Sequence, residues 1–408
     1  MSESAFLPYG RQTIEEDDVA AVAAALRGEY LTTGPMVSRF EKALAERVGA
    51  SGVVACASAT VGLHLATAAI GLGPGDFAIV PTVTFLATAN AVRYCGAEVV
   101  FADVDARTGL MTPETLEEAI ARCPVPPRAI MPVHLNGWSC DMAQIGAIAR
   151  RHGARVVEDA AHALGATTPD RNGVTVPVGG GADSDLIVFS FHPVKTVAMG
   201  EGGAVAARDP ELLRSLALLR SHGMEREASR FTNKDLGFDA NGSVNPWYYE
   251  MQELGWNYRV TDIQCALGLN QLSKLDRFLA RRGEIADLYD SALADLASIA
   301  RPVPRSLSGT SGWHLYPILI DFDRLEATRA EIVHWLREKH AVGTQVHYVP
   351  VHLQPYYRGR YGSAQLPGAL EYYKRVLSIP FYPGLSDDEV ERVSEALHDV
   401  LAVGGTSR

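Results

Sequence analysis

The sequence predicts an α/β protein: a large sheet buried on both faces, with a smaller α+β unit after it. Three observations carry this. Short apolar runs alternate with helix-period stretches from residue 53 to residue 206. A long helical pattern follows over 262–289, and a proline-rich break at Pro302-Val303-Pro304 precedes a second alternation of strand and helix. Strand and helix taking turns in this way is how a sheet covered by helices is written. At roughly 150 residues per domain, 408 residues leave room for two or three domains.

Taken in order, buried strands are expected over 53–57, 77–81, 99–102, 129–133, 156–158, 186–189 and 203–206, with helices over 61–70, 113–121 and 142–152 between them. Thr112-Pro113-Glu114 is a helix start, with an N-cap hydroxyl, proline at the first position and then an acid. Over 262–289, Leu267, Leu272, Leu275, Phe278 and Leu279 form one apolar stripe. Arg277, Arg281, Arg282 and Glu284 are expected to cover much of the opposite side. The proline pair and residues 306–311 read as a linker. Beyond it, strands at 315–320 and 344–348 and helices at 329–340 and 387–400 make the smaller unit. The expected division is a large domain over 1–265 with its N-terminal segment, and a connecting helix with a small domain over 266–408. The polar, Gly/Asn-rich stretch 225–247 reads as a long loop.

Composition excludes several classes of function. Hydrophobic residues are 47% and charged residues 21%, which suits a folded enzyme-sized protein and not a disordered one. Thirty-seven basic against forty-eight acidic residues leave a net charge of −11, which argues against nucleic-acid or membrane-surface binding. The five cysteines (Cys56, Cys95, Cys123, Cys140 and Cys265) are an odd number with no C-x-x-C pair. They read as reduced thiols, and no metal site is expected. Met1-Ser2-Glu3-Ser4 lacks a basic start leading into an apolar core, and no apolar run reaches the ~18 residues of a membrane span. A soluble cytoplasmic protein is the expectation.

Three stations carry the chemistry. At the first, Cys56-Ala57-Ser58-Ala59-Thr60 leaves a strand and enters a helix, so small residues present first-turn amides to an anion. By itself this is an ordinary N-cap. At the second, Val156-Val157-Glu158-Asp159-Ala160-Ala161-His162 ends a strand where ligands of α/β sheets bind. Asp159 is placed to hold a protonated ring nitrogen, or merely to cap the next helix. The third is Ser190-Phe191-His192-Pro193-Val194-Lys195, followed by Gly200-Glu201-Gly202-Gly203. A lysine at a buried strand end is costly unless partnered or converted to a Schiff base; a solvated surface lysine is the plain alternative. Together, and in this order, the three describe a pyridoxal phosphate site. That cofactor needs a lysine for its aldehyde, an acid for its pyridine nitrogen and amide donors for its phosphate.

These segments, with Thr32-Thr33-Gly34-Pro35 and Gly255-Trp256-Asn257-Tyr258-Arg259, resemble the DegT/DnrJ/EryC1/StrS family of sugar aminotransferases over roughly residues 7–400. The resemblance implies the fold type I of pyridoxal-phosphate-dependent transferases, with a large mixed-sheet cofactor domain. It assigns Lys195 as the Schiff-base lysine and proton carrier, Asp159 as the pyridine-nitrogen partner and Phe85 as the aromatic stacked on the ring. Ser58, Ala59, Thr60 and Ser190 become the phosphate cradle, and His162 stands beside the cofactor. Asn257 matches an asparagine that reaches the neighbouring subunit's site, which implies a homodimer with shared active sites. Some relatives carry histidine in place of the lysine and are dehydratases; the intact Lys195 favours transamination.

Leu7-Pro8-Tyr9-Gly10-Arg11-Gln12, Ser221-His222-Gly223-Met224, His314-Leu315-Tyr316-Pro317 and the run from Gln345 through His352 resemble the members of that family that act in pseudaminic acid synthesis. Those members aminate C4 of UDP-2-acetamido-2,6-dideoxy-β-L-arabino-hexos-4-ulose, with glutamate as the usual donor. The same resemblance implies a nucleotide-sugar site lined by Tyr9, Glu29, Tyr30, Leu31, Thr32, His347, Tyr348, Val349 and Pro350. His347 alone would read as a satisfied core histidine. Cys265 and Trp256 depart from the common pattern without touching the chemistry, and the 225–247 stretch is expected near where a sugar enters. Two rivals stand beside this reading: an aminotransferase for another nucleotide-linked keto sugar, of GDP-perosamine or dTDP-amino-sugar type, and a non-catalytic relative.

Overall fold

The computed structural model describes residues 5–305, 309–325 and 327–403. The N-terminal residues 1–4, and residues 306–308 of the expected linker, lie outside it.

All seven expected strands form, and they share one sheet. They are β1 (Gly52–Cys56), β2 (Phe77–Pro81), β3 (Glu98–Ala102), β4 (Ala129–Ile130), β5 (Arg155–Asp159), β6 (Leu186–Ser190) and β7 (Gly203–Ala207), in the order β1-β7-β6-β5-β4-β2-β3. β7 runs antiparallel to both neighbours and the other pairings are parallel. The C-terminal ends of six strands and the start of β7 therefore meet along one edge, the edge where α/β sheets bind ligands.

Side chains alternate across the sheet with period two, and both faces are apolar. Val54, Leu186, Val188, Val205 and Ala207 pack into a core with Leu63 and Ile79. Val53, Ala55, Ile187, Phe189, Ala204 and Ala206 face the other way, onto Phe40, Leu44 and Val48 of the helix Pro35–Val48. A third core belongs to a three-stranded antiparallel sheet of β8 (Ala300–Pro302), β9 (Tyr316–Ile320) and β10 (Val376–Ile379), packed by the helices Leu275–Ala292, Arg329–His340 and Asp387–Val403. Leu7 lies in that third core and bridges to Val342. No helix among the described residues is long and apolar enough to cross a membrane. Cys56, Cys140 and Cys265 are buried, and all five cysteines are free thiols.

Four expectations are corrected. The pattern over 262–289 is two helices, Asp262–Ser273 and Leu275–Ala292, meeting at Lys274. There the Lys274 ammonium is buried against Asp17 (2.6 Å), Asp18 (2.9 Å) and Glu15 (3.0 Å), which ties the first helix of the chain to the joint. Arg282 is not on the solvent face. It is buried, and its Nη1 donates to the carbonyls of Trp313, His314 and Phe381. Pro302 belongs to β8, not to a linker. Residues 344–348 are no strand: Gln345 alone bridges to Ser378, and the chain then leaves the sheet to cross the cavity described below.

The 225–247 stretch is more built than a loop. Met224–Glu225 pairs with Glu250–Met251, and between them Phe231 is buried against Phe238 and Tyr248.

Candidate active site

At the shared sheet edge lies a cavity of about 1040 Å³, walled by strand-end residues and closed from the far side by the 345–349 crossing. Ser58, Ala59, Thr60, Phe85, Asp159, His162, Ser190 and Lys195 all line it, as do Tyr9, His347, Tyr348 and Val349. Residues spread from 9 to 349 in the chain converge because most follow the end of a strand or lie on the crossing segment, while Tyr9 is brought in by an N-terminal segment whose carbonyl at Tyr9 accepts from the Phe381 amide.

Ser58 ends the β1 exit and caps the helix Ala59–Ala69, its Oγ accepting from the Val61 amide at 3.3 Å. Such a cap is worth about 1 kcal/mol. The Ala59 and Thr60 amides precede any intrahelical acceptor and face the cavity, so this end of the helix suits an anion. Across it, Gly203 starts β7 so close that a Cβ there would lie 2.3 Å from the Ser58 carbonyl carbon and 2.4 Å from the Ala59 nitrogen. Only glycine permits that approach, which explains the last glycine of the Gly-Glu-Gly-Gly run. Ser190 presents its hydroxyl from the end of β6.

Asp159 is buried at the end of β5. The Thr88 hydroxyl donates to its Oδ2 (2.7 Å) and the Ala161 amide to its Oδ1 (3.1 Å). Thr84, just ahead of the helix Leu86–Tyr94, and Thr88 in its first turn share a further hydrogen bond of 2.8 Å, so a short hydroxyl chain orients the carboxylate. Asp159 caps a turn, not a helix, and its carboxyl lines the cavity with the lysine.

Lys195 is half-buried, and loss of hydration drives its ammonium down to about 7 against the pull of Asp159. An amine with that value is a nucleophile and a base near neutrality. Its Nζ lies 3.3 Å from His314 Nε2. His162 accepts from the Asn136 amide at Nδ1 (3.3 Å), which leaves its Nε2 proton for the Tyr348 phenol at 3.2 Å. Burial, with Lys195 nearby, holds His162 well below its ordinary value and takes His347 to about 3. Both rings are neutral in the physiological range. Phe85 precedes the helix Leu86–Tyr94 as its N-cap, is 57% exposed and lines the cavity, where its ring is open to a planar ligand.

Six expected residues are elsewhere. Asn257 is exposed and bridges to Ser221. Glu29, Tyr30, Leu31 and Thr32 are exposed as well, in a flank where the Leu31 carbonyl accepts from the Asp262 amide and Thr32 bridges to Thr261, four residues along the chain from Asn257. Pro350 turns off the cavity wall, its carbonyl accepting from the Leu353 amide. Thr88 and His314 were missed as site residues. The i,i+4 spacing of Thr84 and Thr88 was a usable signal for the first, whereas nothing local pointed His314 at a lysine 119 residues away.

The cavity fits pyridoxal phosphate on its own geometry: free first-turn amides for a phosphate, an oriented carboxylate, a low-pKa amine and an open aromatic face. Among the described residues no cluster of His, Cys, Asp and Glu is arranged to hold a metal ion.

Comparison with known proteins agrees. A profile of the DegT/DnrJ/EryC1/StrS aminotransferase family matches residues 12–398. The spore coat polysaccharide biosynthesis protein SpsC of Bacillus subtilis is 40% identical over 400 residues, 97% of each chain. Among solved structures, Helicobacter pylori PseC, an aminotransferase involved in the biosynthesis of pseudoaminic acid, aligns with a TM-score of 0.87 and 28% identity, over 97% of this chain and 99% of that one. The sugar aminotransferase Spr1654 of Streptococcus pneumoniae, described as putative and solved in its PLP form, aligns with a TM-score of 0.86 and 28% identity, over 98% and 100%. It is also known in a PMP form. With the fold, the lysine and the acid in place, the chain belongs to the DegT/DnrJ/EryC1/StrS family of pyridoxal-phosphate-dependent sugar aminotransferases.

Proposed function

We propose that this protein moves the amino group of glutamate to C4 of a UDP-linked 4-keto-6-deoxy-N-acetylhexosamine, the arabino-configured 4-ulose of pseudaminic acid synthesis. The observation that carries the reaction type is Lys195 and the oriented Asp159 on the walls of one cavity, with free helix amides beside them. The likeness to PseC supports the sugar.

Bound pyridoxal phosphate supplies an aldehyde to carry the amino group and a protonated ring to draw electrons from the neighbouring carbon. The chain's residues do the rest. The Ala59 and Thr60 amides, with Ser58 and Ser190, hold the phosphate, and Asp159 keeps the ring nitrogen protonated by opposite charge. Phe85 covers one ring face. Lys195 Nζ takes the proton from the amine-bearing carbon of the donor and delivers one to C4 of the acceptor. Over both halves, the amino group and α-hydrogen of glutamate exchange for the oxo oxygen of the sugar, giving 2-oxoglutarate and an amino sugar. Tyr9, His347, Tyr348 and Val349 border the space left for the sugar.

The working unit is a homodimer. Asn257 and residues 29–32 lie outside their own chain's cavity, in a flank where Trp247 is 73% and Leu254 78% exposed. That placement suits a role in a partner's site.

One observation favours a second reading, a different nucleotide-linked keto sugar: SpsC, at 40% identity, is a spore coat polysaccharide protein. Incubating the purified enzyme and glutamate with UDP-, GDP- and dTDP-linked keto sugars, and identifying each product, tests both. A C4-aminated product from the arabino-configured UDP sugar supports the first reading; preference for a GDP or dTDP sugar establishes the second.

A further inference from the structure

The hydrogen-bond partner of Lys195 is the least expected part of the site. Its Nζ meets a neutral imidazole, His314 Nε2 at 3.3 Å, and the structure goes to some length to put that ring there. His314 precedes β9 on a loop held from three sides. Trp313 adopts φ +45 and its amide donates to Ser311 Oγ at 2.9 Å. Gly137, at φ +105, lies so near that a Cβ on it would stand 2.7 Å from the Trp313 nitrogen. The buried Arg282 guanidinium clamps the carbonyls of Trp313 (3.0 Å) and His314 (3.1 Å) to that of Phe381 (3.0 Å). The ring itself packs on His162, centroids 4.2 Å apart.

His314 Nδ1 is buried and has no hydrogen-bond partner among the described residues. A neutral imidazole has one donor nitrogen and one acceptor nitrogen. A buried orphan N–H is rarer and costlier than an acceptor left bare. The proton therefore belongs on Nε2, where its one acceptor is the lone pair of an unprotonated Lys195.

We propose that His314 is a further catalytic residue: it donates Nε2–H to Lys195 Nζ and so holds that nitrogen as a free amine, ready to capture an aldehyde and to take a proton from carbon. A hydrogen bond made only to the neutral form disfavours the charged one. The other groups facing Lys195 leave this role open. Asp159 pulls the opposite way, towards the ammonium. His162 and His347 are held neutral by burial and by Lys195 itself, and Tyr348 keeps its phenol proton. His192, exposed on the cavity wall, is occupied with the Val194 amide at 3.4 Å. Arg282, the cation near His314, opposes protonation of that ring.

The inference rests on Lys195 being the reacting amine, yet its test needs no turnover. The full-length, cofactor-free protein is labelled with acetic anhydride across pH 5–10, and acetylation of Lys195 is quantified by mass spectrometry. Wild type should titrate near 7. His314→Ala should raise the midpoint by about one unit, with cofactor capture at pH 7 slowed roughly tenfold and recovered at high pH. His314→Gln, which keeps an N–H donor, should stay near wild type. An unchanged or lowered midpoint in folded His314→Ala overturns the proposal. If that variant fails to fold, nitrogen-15 spectra of histidine-labelled wild type decide: a proton on His314 Nε2 upholds the proposal, and a proton on Nδ1 overturns it. A failed sugar assay would leave this titration untouched.

Discussion

The floor of the cavity and the flank beside it are built on opposite terms. On the floor, Asp159 is buried and its oxygens are occupied by Thr88 and Ala161, Ser190 and Gly203 are paired in strand register, and Ser58 is fixed as a helix cap. In the flank, Asn257 and residues 29–32 are exposed, and Trp247 and Leu254 stand in solvent. The contrast teaches that the buried floor carries the lysine and its oriented acid, while the exposed flank carries residues that the cavity of the same chain does not use. Lys195 is the sole lysine or arginine among the described residues lining the cavity. The proposed ligands bring a phosphate, a diphosphate and carboxylates, and the proposed dimer would supply further polar groups for them.

The largest effect should come from the floor. Lys195→Ala should abolish turnover, a loss of at least about a thousandfold in steady-state rate, because nucleophile and proton carrier vanish together. Mixing tests the flank. Lys195→Ala and Asn257→Asp should each be inactive alone, but dimers reassembled from both should regain up to about a quarter of wild-type activity. Half of the dimers are then mixed, and in each the intact lysine of one chain meets the intact asparagine of the other. No recovery would mean that Asn257 serves its own chain or none.

Smaller changes sharpen the comparison. Thr88→Val removes a hydrogen bond to a charged carboxylate, typically about 1.5–3 kcal/mol, and should weaken cofactor retention at least about tenfold in equilibrium dialysis without unfolding the sheet. The smallest effect concerns pH. Glu250 is held down at about 2 by hydrogen bonds from the Gln252 side chain and the Thr232 and Asn233 amides. With its folded value depressed, its support for the 224–251 excursion is complete above about 4.5 and is lost as pH falls towards 2. Hydrogen exchange in that excursion should therefore rise on acidification before exchange in β5 and β6 does. Simultaneous loosening of both would contradict the separation of floor from flank.

The same division governs what was legible in the sequence. All seven strands of the large sheet read out as apolar runs because both faces are buried, and Met142–His152 and Arg329–His340 matched to the residue. The three floor stations were legible because each follows a strand end, where local spacing and site coincide. Legibility failed where position is decided by distant partners. The break at Lys274 depends on carboxylates some 260 residues earlier, which no helical period reveals. Arg282 looks solvent-facing by pattern, but three carbonyls from two other segments make its burial tolerable. Residues 344–348 alternate like a strand, but they owe their path to the cavity they roof. Asn257 carried the family's motif, yet it lies outside the cavity of its own chain, and only the proposed dimer would give it a use.

The central claim is that Lys195 is the amine that holds the cofactor. Reducing the purified, yellow protein with borohydride fixes the cofactor to whichever lysine carries it, and peptide mapping by mass spectrometry then locates the pyridoxyl group. The account predicts a single labelled peptide containing Lys195, with no label in Lys195→Ala. A pyridoxyl group on another lysine, or none on wild type saturated with cofactor, would contradict it.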